Sequence, residues 1–167
     1  MPLERRLLLS FGVAAGGLTL ATSAESAPRR AETTRAGADS DTGLVPGSDR
    51  DQSQALQAAV DRAAERGAPL ALPAGRFLVR DIRLRPGSHI VGTAGGTVLA
   101  QTGPGHLLSA DLVPGLRLSG LTLDGRSQPL GGGDRAGLVT LRGCRGVVIA
   151  DVAVTTSASH GLYLEAC

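Results

Sequence analysis

A six-residue block near the C-terminus returns 23 positions later with the same order of apolar and polar residues. Residues 139–144 read VTLRGC, and residues 162–167 read LYLEAC. Apolar residues alternate with other residues in both blocks, which is typical of β-strands with one buried face. A short period of this kind indicates a solenoid, in which each coil buries its inner face against the next coil. The pattern therefore predicts a parallel β-helix.

The same pattern extends upstream at an offset of 31 residues. This pattern predicts three short strands in each coil. It disfavours an antiparallel sandwich, because the strands of a sandwich would not keep one constant offset. Eight extra residues, 126–133, read RSQPLGGG and predict a loop at one corner of the coil. Seven apolar residues match seven others at this offset: Leu108, Ala110, Val113, Leu116, Leu118, Leu121 and Leu123 precede Val139, Leu141, Cys144, Val147, Ile149, Val152 and Val154.

The amino-acid composition limits which residues can form the core and which class of ligand the chain can bind. A chain of 167 residues has room for one domain, and an aromatic content of 2% leaves Leu, Val, Ile and Ala to form the core. All 17 basic residues are arginine, which reflects either a GC-rich genome or guanidinium groups suited to the carboxylates of acidic sugars. The net charge of +2, without a basic cluster in the predicted domain, argues against a nucleic-acid partner.

The N-terminus has the pattern of an export signal. Arg5 and Arg6 precede a mildly apolar run that ends near residue 20 and is too short and too rich in glycine for a stable membrane span. The small residues at 21–24 would allow a signal peptidase to cleave after Ala24. The Arg-Arg-x-Leu-Leu order is similar to a twin-arginine signal, although Glu4 and Ser10 depart from its usual flanks. We expect a signal peptide at 1–24, the twin-arginine translocase as partner during export, and a periplasmic protein.

A linker and one helix precede the predicted strands. Residues 25–47 have almost no large apolar residue and predict a disordered linker. Residues 48–67 predict an amphipathic helix with Ser48, Asp49 or Asp51 as N-cap and Gly67 as its end. We expect this helix to cover the open end of the first coil. The β-helix is predicted over 68–167, incomplete because the sequence stops within a coil. The apolar stripe of the helix consists of Ala55, Leu56, Ala59, Val60 and Ala63.

The motifs that follow the helix carry a family resemblance. Residues 72–77 read LPAGRF, residues 90–92 read IVG, and residues 121–125 read LTLDG. Together with the paired arginines and the 23-residue period, they resemble the N-terminal fragment of a twin-arginine-translocated repetitive protein of alphaproteobacteria. That family lies in the pectate-lyase-like superfamily of right-handed, single-stranded parallel β-helices. The resemblance implies a periplasmic protein related to enzymes that cleave or epimerise polysaccharides, and it carries over no active-site motif.

Four charged residues flank the predicted loop and are weak candidates for catalysis: Asp124, Arg126, Asp134 and Arg135. Enzymes that act on acidic glycans need a cation to neutralise the uronate carboxylate and a carboxylate or histidine to remove the C5 proton. The alternative reading is that Asp124 and Gly125 form a turn and that the arginines are solvated.

Two histidines occupy one column of the repeat. His106, Gly137 and His160 are related by the offsets of 31 and 23, which places the histidines two strands, roughly 9.6 Å, apart. Surface turn histidines are favoured over a metal site, because the column holds no cysteine or carboxylate. His160 remains a weak candidate for catalysis. No metal site and no cofactor is evident, with calcium or an unknown cofactor as open alternatives.

The two cysteines occupy equivalent positions, Cys144 and Cys167, 23 residues apart. Adjacent strands bring such positions within range of a disulfide, but a packed pair of free thiols is favoured over the disulfide. The same alignment predicts a surface ion pair between Arg142 and Glu165.

Three classes of function remain open. The first is an enzyme, namely a lyase, hydrolase or epimerase that acts on acidic polysaccharide. The second is a non-catalytic protein that binds glycans or has a structural role in the cell envelope. The third is a carrier of an unknown cofactor. The scarcity of aromatic residues disfavours stacking on neutral sugars and leaves acidic glycans as the more plausible ligand.

Overall fold

A computed structural model of the chain describes residues 42–130 and 135–167. The predicted signal peptide with Arg5 and Arg6, most of the predicted linker, and Asp134 lie outside these residues. Within them, one helix, α1 (Ser53–Glu65), precedes short strands. The strands are β1 (Leu70–Ala71), β2 (Gly75–Val79), β3 (Ile82–Arg83), β4 (His89–Val91), β5 (Thr97–Gln101), β6 (Leu108–Asp111), β7 (Arg117–Ser119), β8 (Leu121–Asp124), β9 (Gly137–Arg142), β10 (Val148–Ala150), β11 (Ala153–Thr155) and β12 (His160–Glu165).

The strands form three parallel sheets of four strands each. Their orders are β1-β4-β7-β10, β2-β5-β8-β11 and β3-β6-β9-β12, so the chain visits the three sheets in turn and every third strand joins the same sheet. Strand pairing of this kind needs a crossover between partners, which the two intervening strands and their turns supply. The prediction of an all-β fold with parallel strands and one preceding helix is confirmed at this level.

The 31- and 23-residue offsets found in the sequence correspond to the register of the strand pairs. Residues 31 apart are partners in all three sheets, and residues 23 apart are partners in the last pair of the third sheet. Earlier pairs have offsets between 20 and 28, all shorter than 31, because they do not contain the inserted loop. Examples at 31 are Leu108 with Val139, Leu118 with Ile149 and Leu123 with Val154; at 23, Val139 with Leu162; and earlier, Leu70 with Ile90 and Phe77 with Leu99.

The core lies between the three sheets. Phe77, Leu99 and Leu123 are successive partners across β2, β5 and β8, and all three are fully buried. Leu108 and Val139 are partners in the third sheet and are also fully buried. Side chains on a strand point alternately to its two faces, so each strand contributes its apolar positions to the interior. The expected aliphatic core is present, with Phe77 as its aromatic member in the described residues.

Helix α1 begins five residues after the start of the predicted segment. Gln52 precedes its first turn, and the Asp51 carboxylate accepts a hydrogen bond from the Ser53 N–H at 2.8 Å. Gly67 lies just past the end of the helix with a φ of +60°, a conformation that favours glycine. Four members of the expected apolar stripe are buried: Leu56, Ala59, Val60 and Ala63. No helix in the described ranges is long and apolar enough to cross a membrane.

The helix packs against β1, β2 and β3, which are the first edge strands of the three sheets. Its side chains bind backbone groups of β3 and of the turn between β2 and β3. The Arg80 N–H donates to the Ser53 hydroxyl at 2.8 Å. Gln57 accepts from the Arg83 N–H at 2.8 Å and donates to the Arg83 carbonyl at 2.9 Å. These bonds satisfy polar groups that would otherwise attract another strand.

Candidate functional site

A groove of about 420 Å³ lies on the third sheet, the one formed by β3, β6, β9 and β12. The apolar positions of these strands point into the core, so the alternate positions provide the lining of the groove. The polar residues of its lining include Arg83, His106, Ser109, Asp111, Thr140 and Arg142.

The lining residues form two rows that cross the strands. Ser109 on β6 is the partner of Arg83 on one side and of Thr140 on the other, and Thr140 is the partner of Tyr163 on β12. This first row therefore contains one guanidinium and three hydroxyl groups. The second row, two residues further along the strands, contains Asp111, Arg142 and Glu165.

Arg142 is fixed by several acceptors. Its Nε lies 3.3 Å from Glu165 Oε2, and its Nη1 lies 4.0 Å from Asp111 Oδ1. Its Nη2 donates a hydrogen bond to the Arg135 carbonyl at 2.9 Å. The predicted ion pair between Arg142 and Glu165 is thus confirmed. Because these groups are partly exposed, the pair adds little stability, but it orients the guanidinium at the groove.

Arg83 and Arg85 differ in their availability for a ligand. Arg85 Nε lies 2.7 Å from Asp61 Oδ1, and this hydrogen bond lowers the pKa of Asp61 below its usual value, which keeps the carboxylate ionised at neutral pH. The exposed Arg83 guanidinium has no ion pair or hydrogen bond to any residue within 42–130 or 135–167. Arg83 therefore presents five donors to a ligand.

His106 is held at the groove by a closed hydrogen-bond network. The Gly137 N–H donates to the Thr140 hydroxyl at 3.0 Å, and that hydroxyl donates to the Gly137 carbonyl at 3.1 Å. His106 Nδ1 lies 3.1 Å from the same carbonyl and 3.2 Å from the Thr140 hydroxyl oxygen. The carbonyl can only accept, so its contact with Nδ1 favours the tautomer that carries the ring proton on Nδ1.

Asp124 lies at the end of β8, in the second sheet. Its carboxylate accepts hydrogen bonds from the Thr156 hydroxyl, from the Arg126 N–H at 2.9 Å and from Arg76 Nη2 at 2.8 Å. Partial burial alone would raise the pKa of Asp124, but these hydrogen bonds and the Arg76 charge outweigh it and lower the pKa. The carboxylate is therefore ionised at neutral pH and engaged by three donors.

The other predicted residues are not gathered around Asp124. Arg126 follows β8 and is exposed. Arg135 lies just before β9 in the third sheet and contributes its carbonyl to Arg142. His160 begins β12 as the partner of Gly137, and its ring lies edge-on to Tyr163 at 6.3 Å. The candidates therefore belong to two different sheets.

The described ranges contain no group of three or more His, Cys, Asp or Glu residues placed to hold a metal ion. Cys144 is buried and Cys167 is exposed, and both are free thiols.

The first row of the groove was not identified from the sequence. Arg83 lies between the buried residues Ile82 and Leu84, and this alternation is the signal that marks it as facing outward. Its alignment with Ser109 needs an offset of 26 residues, which differs from both offsets found in the sequence.

One solved structure shares this architecture. It is described as that of "a putative glycosyl hydrolase" from Parabacteroides merdae, and it is 21% identical, with a TM-score of 0.62 over 74% of this chain and 68% of that chain. At this identity the similarity shows a common fold. No protein-family model and no curated protein matches the chain.

These comparisons correct the family assignment made from the N-terminal motifs. No match supports membership in the twin-arginine-translocated repetitive family, and the structural neighbour carries a different description. The short motifs that suggested the family lie in β2, β4 and β8 and in the turns beside these strands. They describe local strand and turn structure and do not by themselves identify a family.

Proposed function

We propose that the chain binds acidic polysaccharide in the groove on the third sheet. The observation that carries this proposal is the Arg83 guanidinium, which lines the groove and has no partner in the described residues. A guanidinium binds a carboxylate through two parallel hydrogen bonds, a geometry that suits a uronate. The hydroxyl of Ser109 and the neighbouring Arg142 provide further polar contacts for a sugar chain. The description of the structural neighbour agrees with a carbohydrate ligand.

The proposed ligand also fits the proposed architecture. We infer that the three sheets are the faces of a single-stranded parallel β-helix, because the chain visits them in strict rotation. Crossovers between parallel strands are nearly always right-handed, so the helix is taken as right-handed, with α1 as its cap. The rows of the groove then run along the helix axis with a spacing of about 4.8 Å per strand. Such a row offers repeated contacts to an extended polymer.

Replacing Arg83 by glutamine is expected to weaken binding of polygalacturonate or alginate by roughly 10- to 100-fold, the value of a charge-assisted hydrogen bond. Isothermal titration at low and high salt measures the effect, and binding of the unaltered chain should weaken as salt rises. Arg117→Gln is the matched control, because Arg117 is an exposed arginine on β7, in another sheet. Equal losses in the two variants would contradict the proposed groove.

A second candidate function is proton removal at C5 of the bound uronate, which leads to β-elimination or epimerisation. The observation that favours it is the position of His106 in the lining of the groove, with Nδ1 3.1 Å from the Gly137 carbonyl. In this proposal Arg83 neutralises the carboxylate as negative charge develops, and His106 accepts the proton. A chain without this activity would be the non-catalytic glycan-binding protein of the second class.

Replacing His106 by glutamine is expected to lower the rate of C5 proton removal by at least about 100-fold, because a positioned general base contributes that much. Absorbance of unsaturated uronates detects elimination, and deuterium incorporation at C5 detects epimerisation, each over a range of calcium concentrations. His89→Gln is the control, since His89 lies on β4 in the first sheet. If the unaltered chain binds the polymer but gives neither signal, the protein binds without chemistry.

We also propose export to the periplasm through the twin-arginine translocase, on the basis of Arg5 and Arg6. Replacing both arginines by lysine in the full chain should leave the protein in the cytoplasm when cell fractions are compared. Periplasmic accumulation of that variant would contradict this route.

A further inference from the structure

The two cysteines lie side by side at the ends of two neighbouring strands. Arg142 and Glu165 are partners in β9 and β12, and each cysteine follows its partner residue by two positions. The Cys144 N–H donates to Cys167 Sγ at 3.4 Å. The Cα atoms of adjacent partners lie about 4.8 Å apart, which is within the range of roughly 4.4–6.8 Å found in disulfides.

The two thiols differ in their access to solvent. Cys144 is buried, and its thiol faces the carbonyls of Arg142 at 3.3 Å and Ala110 at 3.7 Å. Cys167 is exposed. Burial is the main cause that raises the pKa of Cys144, so its thiol is slow to ionise in the free state. An oxidant in solution therefore meets Cys167 first.

We propose that Cys144 and Cys167 form a redox pair that closes a disulfide between β9 and β12 by exchange with a disulfide oxidant. In the first step the Cys167 thiolate attacks one sulfur of the oxidant, which forms a mixed disulfide and releases one thiolate. In the second step Cys144 loses its proton and attacks Cys167 Sγ, which releases the second thiolate. Two protein thiols are oxidised, and one oxidant disulfide is reduced to two thiols.

The bond would fix β12, the strand that pairs with β9 beside the groove. β12 is the edge strand of its sheet, and its Leu162 and Leu164 side chains are exposed, so β9 provides its principal contact in the described residues. Tyr163 and Glu165 on β12 are the partners of Thr140 and Arg142, which line the groove. A disulfide two residues beyond Glu165 would prevent this end of β12 from separating from β9.

The test uses the full chain with oxidised glutathione, followed by intact-mass analysis and thermal unfolding. The unaltered chain should lose the mass of two hydrogens and retain no glutathione. Cys144→Ser should retain one glutathione on Cys167, and Cys167→Ser should react far more slowly, because its remaining thiol is buried. Oxidation of the unaltered chain should raise its Tm by about 5–10 °C.

Two outcomes would overturn the proposal. One is a stable glutathione adduct on the unaltered chain, equal to that on Cys144→Ser, since it would show that Cys144 cannot reach Cys167. The other is an internal disulfide that leaves the Tm unchanged or lowers it. The comparison of oxidised and reduced unaltered chain needs no substitution, so it holds even where a serine variant folds poorly.

Discussion

Replacing Phe77 by alanine is expected to lower the free energy of unfolding by about 3–5 kcal/mol, the usual cost of truncating a buried aromatic side chain. Phe77 is fully buried and is first among the largest buried side chains of the described residues. Its partner on the next strand is Leu99, so the truncation opens a cavity between β2 and β5. A loss of this size is a large part of the stability of a small domain. Urea unfolding followed by circular dichroism measures it.

Tyr163→Ala is the matched control for that substitution. Tyr163 is half-buried on the edge strand β12, so its removal exposes little new core surface and should cost far less. Similar losses in the two variants would contradict the position of Phe77 in the core and of Tyr163 at its edge.

Replacing Gly120 by alanine is expected to cost about 3 kcal/mol or more, because two effects add. Gly120 has a φ of +64°, and a Cβ there would lie 2.5 Å from the Gly92 carbonyl oxygen and 3.1 Å from its carbon. Backbone atoms cannot yield as the end of a flexible side chain can, so the turn between β7 and β8 would have to move away from the turn that follows β4. Thermal and urea unfolding of the purified variant measure the loss.

Gly67→Ala separates the two effects. Gly67 has a nearly equal φ of +60°, but a Cβ there would meet no atom within 4 Å. Its replacement should therefore cost only the conformational term, about 1–2 kcal/mol. An equal loss in the two variants would show that the close approach of Gly92 and Gly120 does not constrain the fold.

The later strand pairs could be predicted from the sequence, and the earlier ones could not. The pairs β6–β9, β7–β10 and β8–β11 keep one offset of 31 residues, and β9–β12 has an offset of 23, which is shorter by the eight residues of the inserted loop. The earlier pairs have offsets that differ from sheet to sheet, such as 20 for Leu70 and Ile90 and 26 for Ile82 and Leu108. No strand was predicted at β5, because the sequence around it shows no constant offset to the neighbouring strands.

The sequence predicted only the site contact that follows from a constant offset between strands. The ion pair of Arg142 and Glu165 follows from the 23-residue offset, and the structure contains it. The contact between Arg76 and Asp124 joins residues 48 positions apart on strands that are not adjacent, and no local pattern indicates it. The place of His106 beside Thr140 depends on how the chain enters β6 and β9, which turn geometry determines.

Titration of an acidic oligosaccharide into the isotopically labelled chain, followed by nuclear magnetic resonance of the backbone amides, tests the proposed binding site. We expect oligogalacturonate to shift the amide signals of Arg83, Ser109, Thr140 and Arg142, with little change for β7 and β10 in the first sheet. A neutral oligosaccharide of equal length should leave all of these signals in place. Shifts confined to another sheet, or equal shifts with the neutral sugar, would contradict an acidic-glycan site in this groove.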